Sequence, residues 1–322
     1  MGQKKERVLD VFYMLLMGQG VSVSGLADEY EVSTKSISRD INEIKNYIAE
    51  HREQLGGTEL KYNASEGKYY LKTDKFFDSS ELFALVKLMI GSRCLSKDET
   101  LELTNKLKQF TSKEDQQTIN HLISNEMYHF NEVKHDCKSV IDNLWKLTNC
   151  IEAKREITIS YYKMNRDYVE RRLRPMAITF TDFYYYLIAY QQDENDADVW
   201  EVRYYRIDRI VHIVEHRTSF KVEYSKEIDE GDLMNKMQYM FPGKMRHIKF
   251  EFTGPSVQAV LDKIPTAREV EIRDEAHIIE ADVLGDGVNM FLFSQGSWVK
   301  PLAPKEFVDE MREEVEKMLR LY

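Results

Sequence analysis

Near residue 156 the hydrophobic periodicity of this 322-residue chain changes, and that change limits its folds more than any single motif does. Before it, apolar residues recur at helical spacing. After it, runs such as ITISYYK, VERRLRPMAI, DFYYYLIAYQ and WEVRYYRIDRIVHIVEH alternate residue by residue. The pattern describes an α+β protein of several modules, and the length independently asks for two or three domains. With only 14 Gly and 6 Pro, no long flexible linker is expected.

In the first module, Val8, Leu9, Val11, Phe12, Leu15 and Leu16 mark an amphipathic helix that GQGVSVSG ends. Ser22 or Ser24 then caps a short helix carrying Leu26, Ala27 and Tyr30, and Ser33 caps a third. In the third helix Ile37, Ile41, Ile44 and Ile48 form one buried stripe, which turns Ser33, Thr34, Lys35, Ser36, Ser38 and Arg39 outward, with no acidic residue before Asp40. LKYNASEGKYYLKT follows as a hairpin about a Ser-Glu-Gly turn, with Lys61, Lys68, Lys72 and Lys75 on or near it. Helix-turn-helix plus hairpin is a winged helix, in which Arg and Lys at the start of the third helix reach bases or phosphates and the wing lysines contact backbone phosphate. The alternative is a helical domain with an ordinary solvated face. LADEYEVSTKSISRDINEIK resembles the winged helix-turn-helix domains of bacterial transcription regulators at Leu26, Ala27, Arg39 and Asp40.

Residues 77–155 read as a connector of several helices, with Ser79 or Ser80 as a cap and Leu82, Leu85, Val86 and Met89 as an apolar stripe. The stripes suit a dimer interface or an intrachain core equally. His121, His129 and His135 lack the i,i+4 spacing of a metal-binding pair, and Cys94, Cys137 and Cys150 lack a ligand pattern, so no metal or cofactor is expected.

The strands after Glu156 describe a small antiparallel sheet or barrel. In DFYYYLIAYQ, alternation places Phe183, Tyr185, Leu187 and Ala189 on a core face and Tyr184, Tyr186, Ile188 and Tyr190 on the other. Arg171, Arg172, Arg174, Arg203, Arg206 and Arg209 concentrate cations on this sheet in a chain of net charge −10. They suit an anionic partner, or they pair with Glu170, Asp208 and Glu201. The order ITISYY, RRLRPMAI, YYLIAY, RYYRIDRI resembles the WYL domain, with Tyr185, Tyr186 and Leu187 in the naming triplet and a tyrosine replacing its tryptophan. Tyr161, Arg171, Pro175, Arg203, Arg206, Asp208, Arg209 and Ile210 fit the rest of the pattern. The resemblance implies an Sm- or SH3-like barrel sensing a nucleotide or nucleic-acid fragment, with Tyr161, Arg171, Tyr186, Arg203, Arg206 and Arg209 as effector contacts.

From HIKFEFTG onward the order β-α-β-β-α-β with a last helix suggests a ferredoxin-like sandwich, Pro255 starting its first helix and Gly285 to Gly287 forming a tight turn rather than a phosphate loop. The ending WVKPLAPKEFVDEM resembles the extension that accompanies WYL domains. The expected organisation is therefore a winged helix-turn-helix at 1–76, connector at 77–155, WYL barrel at 156–217, linker at 218–243 and ferredoxin-like extension at 244–322. No leader pattern or membrane-length apolar run is present, so a cytoplasmic, nucleoid-associated protein is expected. The function expected is that of a non-enzymatic, homodimeric transcriptional regulator that binds a double-stranded DNA operator and responds to an anionic small-molecule or oligonucleotide effector. A nucleic-acid-processing protein or an architectural binder using the barrel to hold single strands is the alternative.

Overall fold

The computed structural model describes residues 2–72, 77–111, 113–193, 199–221, 235–237, 239–241 and 243–322. The chain forms two compact units, Met1–Val133 and Lys134–Tyr322.

The first unit begins with α1 (Gly2–Leu16), α2 (Val23–Glu29), α3 (Thr34–Glu50) and the one-turn α4 (Arg52–Leu55), followed by β1 (Glu59–Asn63) and β2 (Lys68–Lys72). Ser22 and Ser33 cap α2 and α3, accepting from the amides of Gly25 at 3.0 Å and Ser36 at 3.2 Å. The four isoleucines of α3 are buried against Val11, Leu15, Leu26 and Leu60, so helical spacing alone set this face. Val21 adds an isolated antiparallel bridge to Tyr69 beside the two-stranded hairpin. Asp40 departs from the sequence reading: it is 1% exposed and points inward to Arg7 Nε at 2.6 Å. Lys75 lies outside the described residues.

Helices α5 (Ser79–Ser92), α6 (Lys97–Lys108) and α7 (Lys113–Tyr128) complete the unit around Val86, Ile90, Ile119, Ile123 and Met127. The cap of α5 is Asp78, in a capping box with Glu81, and not Ser79 or Ser80; Ser79 Oγ instead donates to Asp115 at 2.6 Å. The buried line is Leu82, Val86 and Ile90, while Leu85 faces out.

The second unit opens with α8 (Val140–Glu152), which the sequence grouping assigned to the connector. It packs through Leu147 and Cys150 on a five-stranded sheet of β3 (Arg155–Tyr162), β4 (Tyr168–Thr181), β5 (Tyr184–Gln192), β6 (Trp200–Arg206) and β7 (Ile210–Ser219). All neighbours are antiparallel in the order β6-β5-β4-β3-β7. The two edge strands are thus consecutive in sequence, joined only by the 3-10 turn Ile207–Arg209. Phe183 corrects the alternation: it lies in the β4–β5 turn and is 40% exposed, because Asp182 takes a left-handed φ of 53° and the strand begins at Tyr184. Leu187 and Ala189 are core as expected, but Ile188 and its cross-strand partner Ala177 are buried too, so the sheet centre is covered on both faces.

The last module runs β8 (Met245–Phe252), α9 (Val257–Lys263), β9 (Arg268–Arg273), β10 (Ala276–Leu284), α10 (Gly287–Ser294), β11 (Val299–Ala303) and α11 (Lys305–Leu319). Its antiparallel sheet has the order β11-β8-β10-β9 and a core of Phe250, Phe252, Ile279, Leu292 and Phe307. Ser256, rather than Pro255, caps α9. Among the described residues no helix is long and apolar enough to cross a membrane.

Candidate functional site

Two surfaces carry the residues that the sequence singles out. On α3 the hydroxyls are partly engaged within the helix: Ser33 Oγ lies 3.0 Å from Ser36 Oγ, and Ser38 Oγ donates to the Thr34 carbonyl at 2.9 Å. Thr34, Lys35 and Arg39 remain exposed, and no ion pair holds Lys35 or Arg39 among the described residues. With Asp40 turned inward, the N-terminal half of this face bears cations and hydroxyls only.

The hairpin is less cationic than its sequence suggests. Lys61 pairs with Glu59 at 2.7 Å, and Lys68 lines a cavity of about 410 Å³ together with Glu66, Glu114 and Asp115. The Tyr70 hydroxyl donates to Glu66 beside it, which pushes that phenol up to about 12.

On the sheet of the second unit, Tyr186 and Arg206 are direct cross-strand partners and therefore share a face. The Arg206 guanidinium lies 3.4 Å from the centre of the Tyr184 ring and grips Asp208 with both arms, Nε to Oδ1 at 3.1 Å and Nη2 to Oδ2 at 2.6 Å. Burial pushes the Tyr186 phenol up to about 12, against the opposing pull of Arg206. Tyr161, buried and edge-on to Tyr205 at 5.2 Å, meets the Arg209 side chain through its hydroxyl; burial raises its pKa and Arg209 counters this. Tyr161, Tyr186, Arg206 and Arg209 are thus brought together. The Thr179 hydroxyl, buried without a partner among the described residues, stands across from Tyr186.

Two expected effector contacts lie elsewhere. Arg203 is three residues from Arg206, hence on the opposite face, and is paired with Glu201. Arg171 is eight residues along β4 from Thr179, roughly 25 Å of strand, and donates to the Glu170 carbonyl. Alternation places Tyr184 on the Tyr186 face, but the effector contacts named from the sequence omit it; its ring is occupied by Arg206.

Arg172 and Arg174 have a structural partner that the sequence did not suggest. Both converge on the buried Glu156, Arg172 Nη2 at 2.6 Å and Arg174 Nε at 2.9 Å, and Arg174 also covers Trp200 at 3.7 Å. Burial alone would raise the Glu156 pKa, but hydrogen bonds from Arg174 and Arg172 hold it below the usual carboxylate range. A depressed folded pKa gives stability that is complete above the unfolded value near 4.5 and lost as pH falls through the folded one. Glu156→Gln should therefore cost about 1–2 kcal/mol at pH 7, after discounting for the solvent around both arginines. Calorimetry should show that the cost shrinks below pH 4.5.

Residues 142–215, from the start of α8 almost to the end of β7, match the family model for the WYL domain. The chain carries a WYL domain. No curated protein matches the chain. Among solved structures it is similar to proteasome accessory factor B/C of Arthrobacter aurescens, at 18% identity over 99% of this chain and 48% of that one, with a TM-score of 0.29. It is also similar to a CRISPR Cas-related protein, at 17% identity over 77% of this chain and 74% of that one, with a TM-score of 0.39. The chain spans about half the length of the first of these. The match includes α8, so the helix that seals the sheet belongs to the WYL domain's own span. Among the described residues no group of three His, Cys, Asp or Glu could hold a metal ion.

Proposed function

We propose that the chain is a DNA-binding transcription regulator. In this reading the N-terminal module is a winged helix-turn-helix, and the WYL domain is a small Sm- or SH3-like barrel that senses an anionic effector, a nucleotide or nucleic-acid fragment. The observation that carries the DNA reading is the exposed start of α3, where Lys35 and Arg39 stand without acidic partners among the described residues on a helix locked to its neighbours by four buried isoleucines. A helix so presented fits a major groove, and the protein would act as a homodimer on a palindromic operator with half-sites about 34 Å or a multiple apart. It would bind rather than turn over its ligands, in the cytoplasm at the nucleoid, with the C-terminal module a ferredoxin-like extension and no resident cofactor.

Duplexes selected from a random pool by the full chain should bind with log affinity falling linearly against log salt, as several released counterions require. Affinity indifferent to salt would remove the DNA reading. For the effector, the Tyr161, Tyr186 and Arg209 cluster supports an anion held by guanidinium and phenol groups. Calorimetric titration with a short single-stranded oligodeoxythymidylate should show binding weakened at least about tenfold in Arg209→Ala and about fivefold in Tyr186→Phe. Arg203→Ala, on the other face, should change it less than about twofold.

A further inference from the structure

The turn Ile207–Arg209 faces two ways. Its flanking and terminal arginines, Arg206 and Arg209, point into the tyrosine cluster, while the main-chain carbonyl of Asp208 accepts the amides of Asp136 at 2.8 Å and Cys137 at 3.0 Å. Those two residues belong to the segment by which the chain enters the second unit, just after the first unit ends at Val133. We propose that Asp208 is the coupling residue of the regulator. It would sense effector through its carboxylate and hold the entry segment through its carbonyl, so that effector binding changes the grip on residues 134–137. This rests on the effector reading above.

Asp208 is 3% exposed, so its carboxylate is neutralised by Arg206 rather than by water. An anion that competes for the Arg206 guanidinium leaves a buried charge uncompensated, which is costly enough to force Asp208 to move. In a three-residue turn closed by its own Ile210 amide to Ile207 carbonyl bond, the side chain and carbonyl of the middle residue cannot shift independently. The segment held by that carbonyl has a second anchor: Arg166 Nη1 and Nη2 reach both Asp136 oxygens at 2.9 Å. Arg166 sits in the β3–β4 turn with a left-handed φ of 71°, its guanidinium 4.7 Å from the Tyr162 ring centre. Helix α8 is tied to the same turn through Asn143 Nδ2, which donates to the Ile210 carbonyl at 2.8 Å. Turn, entry segment and helix therefore form one hydrogen-bonded body that meets the tyrosine cluster through Arg209 of the turn and the adjoining Arg206.

The test uses the full chain, its selected operator and the same oligodeoxythymidylate. In the wild type, saturating probe should change hydrogen exchange at the Asp136 and Cys137 amides, and operator affinity, each by about tenfold, within the usual range of allosteric coupling. Arg166→Ala, and Asp136→Asn as a variant that preserves shape, should bind probe within about twofold of wild type yet lose most of the change in operator affinity. Bound probe with unmoved amides, or variants that respond as wild type does, would overturn the coupling and leave the effector site standing. A probe that does not bind, or that binds regardless of Arg209→Ala, overturns both.

Discussion

Asp40→Ala should destabilise the first unit by about 3 kcal/mol, the low end of the cost of removing one partner from a buried ion pair. The cost is that of an uncompensated buried charge. Asp40 is 1% and Arg7 11% exposed at the side chain, and their 2.6 Å contact joins α3 to α1. Without the carboxylate, the Arg7 guanidinium keeps only a narrow path to water, which is why the low end of the range applies. The second Asp40 oxygen has no partner among the described residues, so the whole worth of the carboxylate lies in Arg7. Amide exchange in the middle of α3 should accelerate on the order of a hundredfold, since each 1.4 kcal/mol is a factor of ten. Replacing both members with apolar residues, Arg7→Met with Asp40→Leu, should recover most of the loss. If the single variant exchanges no faster than wild type, the pair is not what holds α3 to α1.

The second large effect concerns the exposed half of the same helix. Lys35→Ala with Arg39→Ala should weaken operator binding on the order of a hundredfold, taking each side chain as worth about 1–3 kcal/mol at a base edge or phosphate. The two contributions are separable. A side chain reading a base loses discrimination at one operator position, whereas one on phosphate weakens all duplexes alike and lowers the salt slope by about one. Binding measured at several salt concentrations with selected and scrambled duplexes distinguishes them. Because Ser33 and Ser38 are engaged in the cap and along the helix, their alanine variants should act mainly through helix stability, with a smaller effect on affinity.

The folds of both units were legible where periodicity is strong. The isoleucines of α3 and the strand alternation of Leu187 and Ala189 needed nothing but spacing. Asp40 was legible in part: it lies three after Ile37 and four before Ile44, on the buried stripe, but its partner is 33 residues away and no local pattern announces Arg7. The same distance problem hid Glu156, which gathers Arg172 and Arg174 from the neighbouring strand. Arg203 and Arg206 could have been placed on opposite faces by counting, whereas the pairing of Tyr186 with Arg206 depends on register, which a hairpin turn sets. Phe183 was misassigned because the alternating pattern runs on through a turn that begins at Asp182, a residue type that tolerates left-handed backbone.

The three cysteines offer a spectroscopic handle. Cys94 and Cys150 are 6% and 1% exposed, and burial raises the Cys150 thiol further from its reactive form. Cys137, only half-buried, is the thiol that an alkylating fluorophore should reach first. It stands at the entry segment whose amides Asp208 holds, so a dye there would sit where the postulated signal passes. Its emission could be followed in real time in the unaltered chain, without engineering a reporter position.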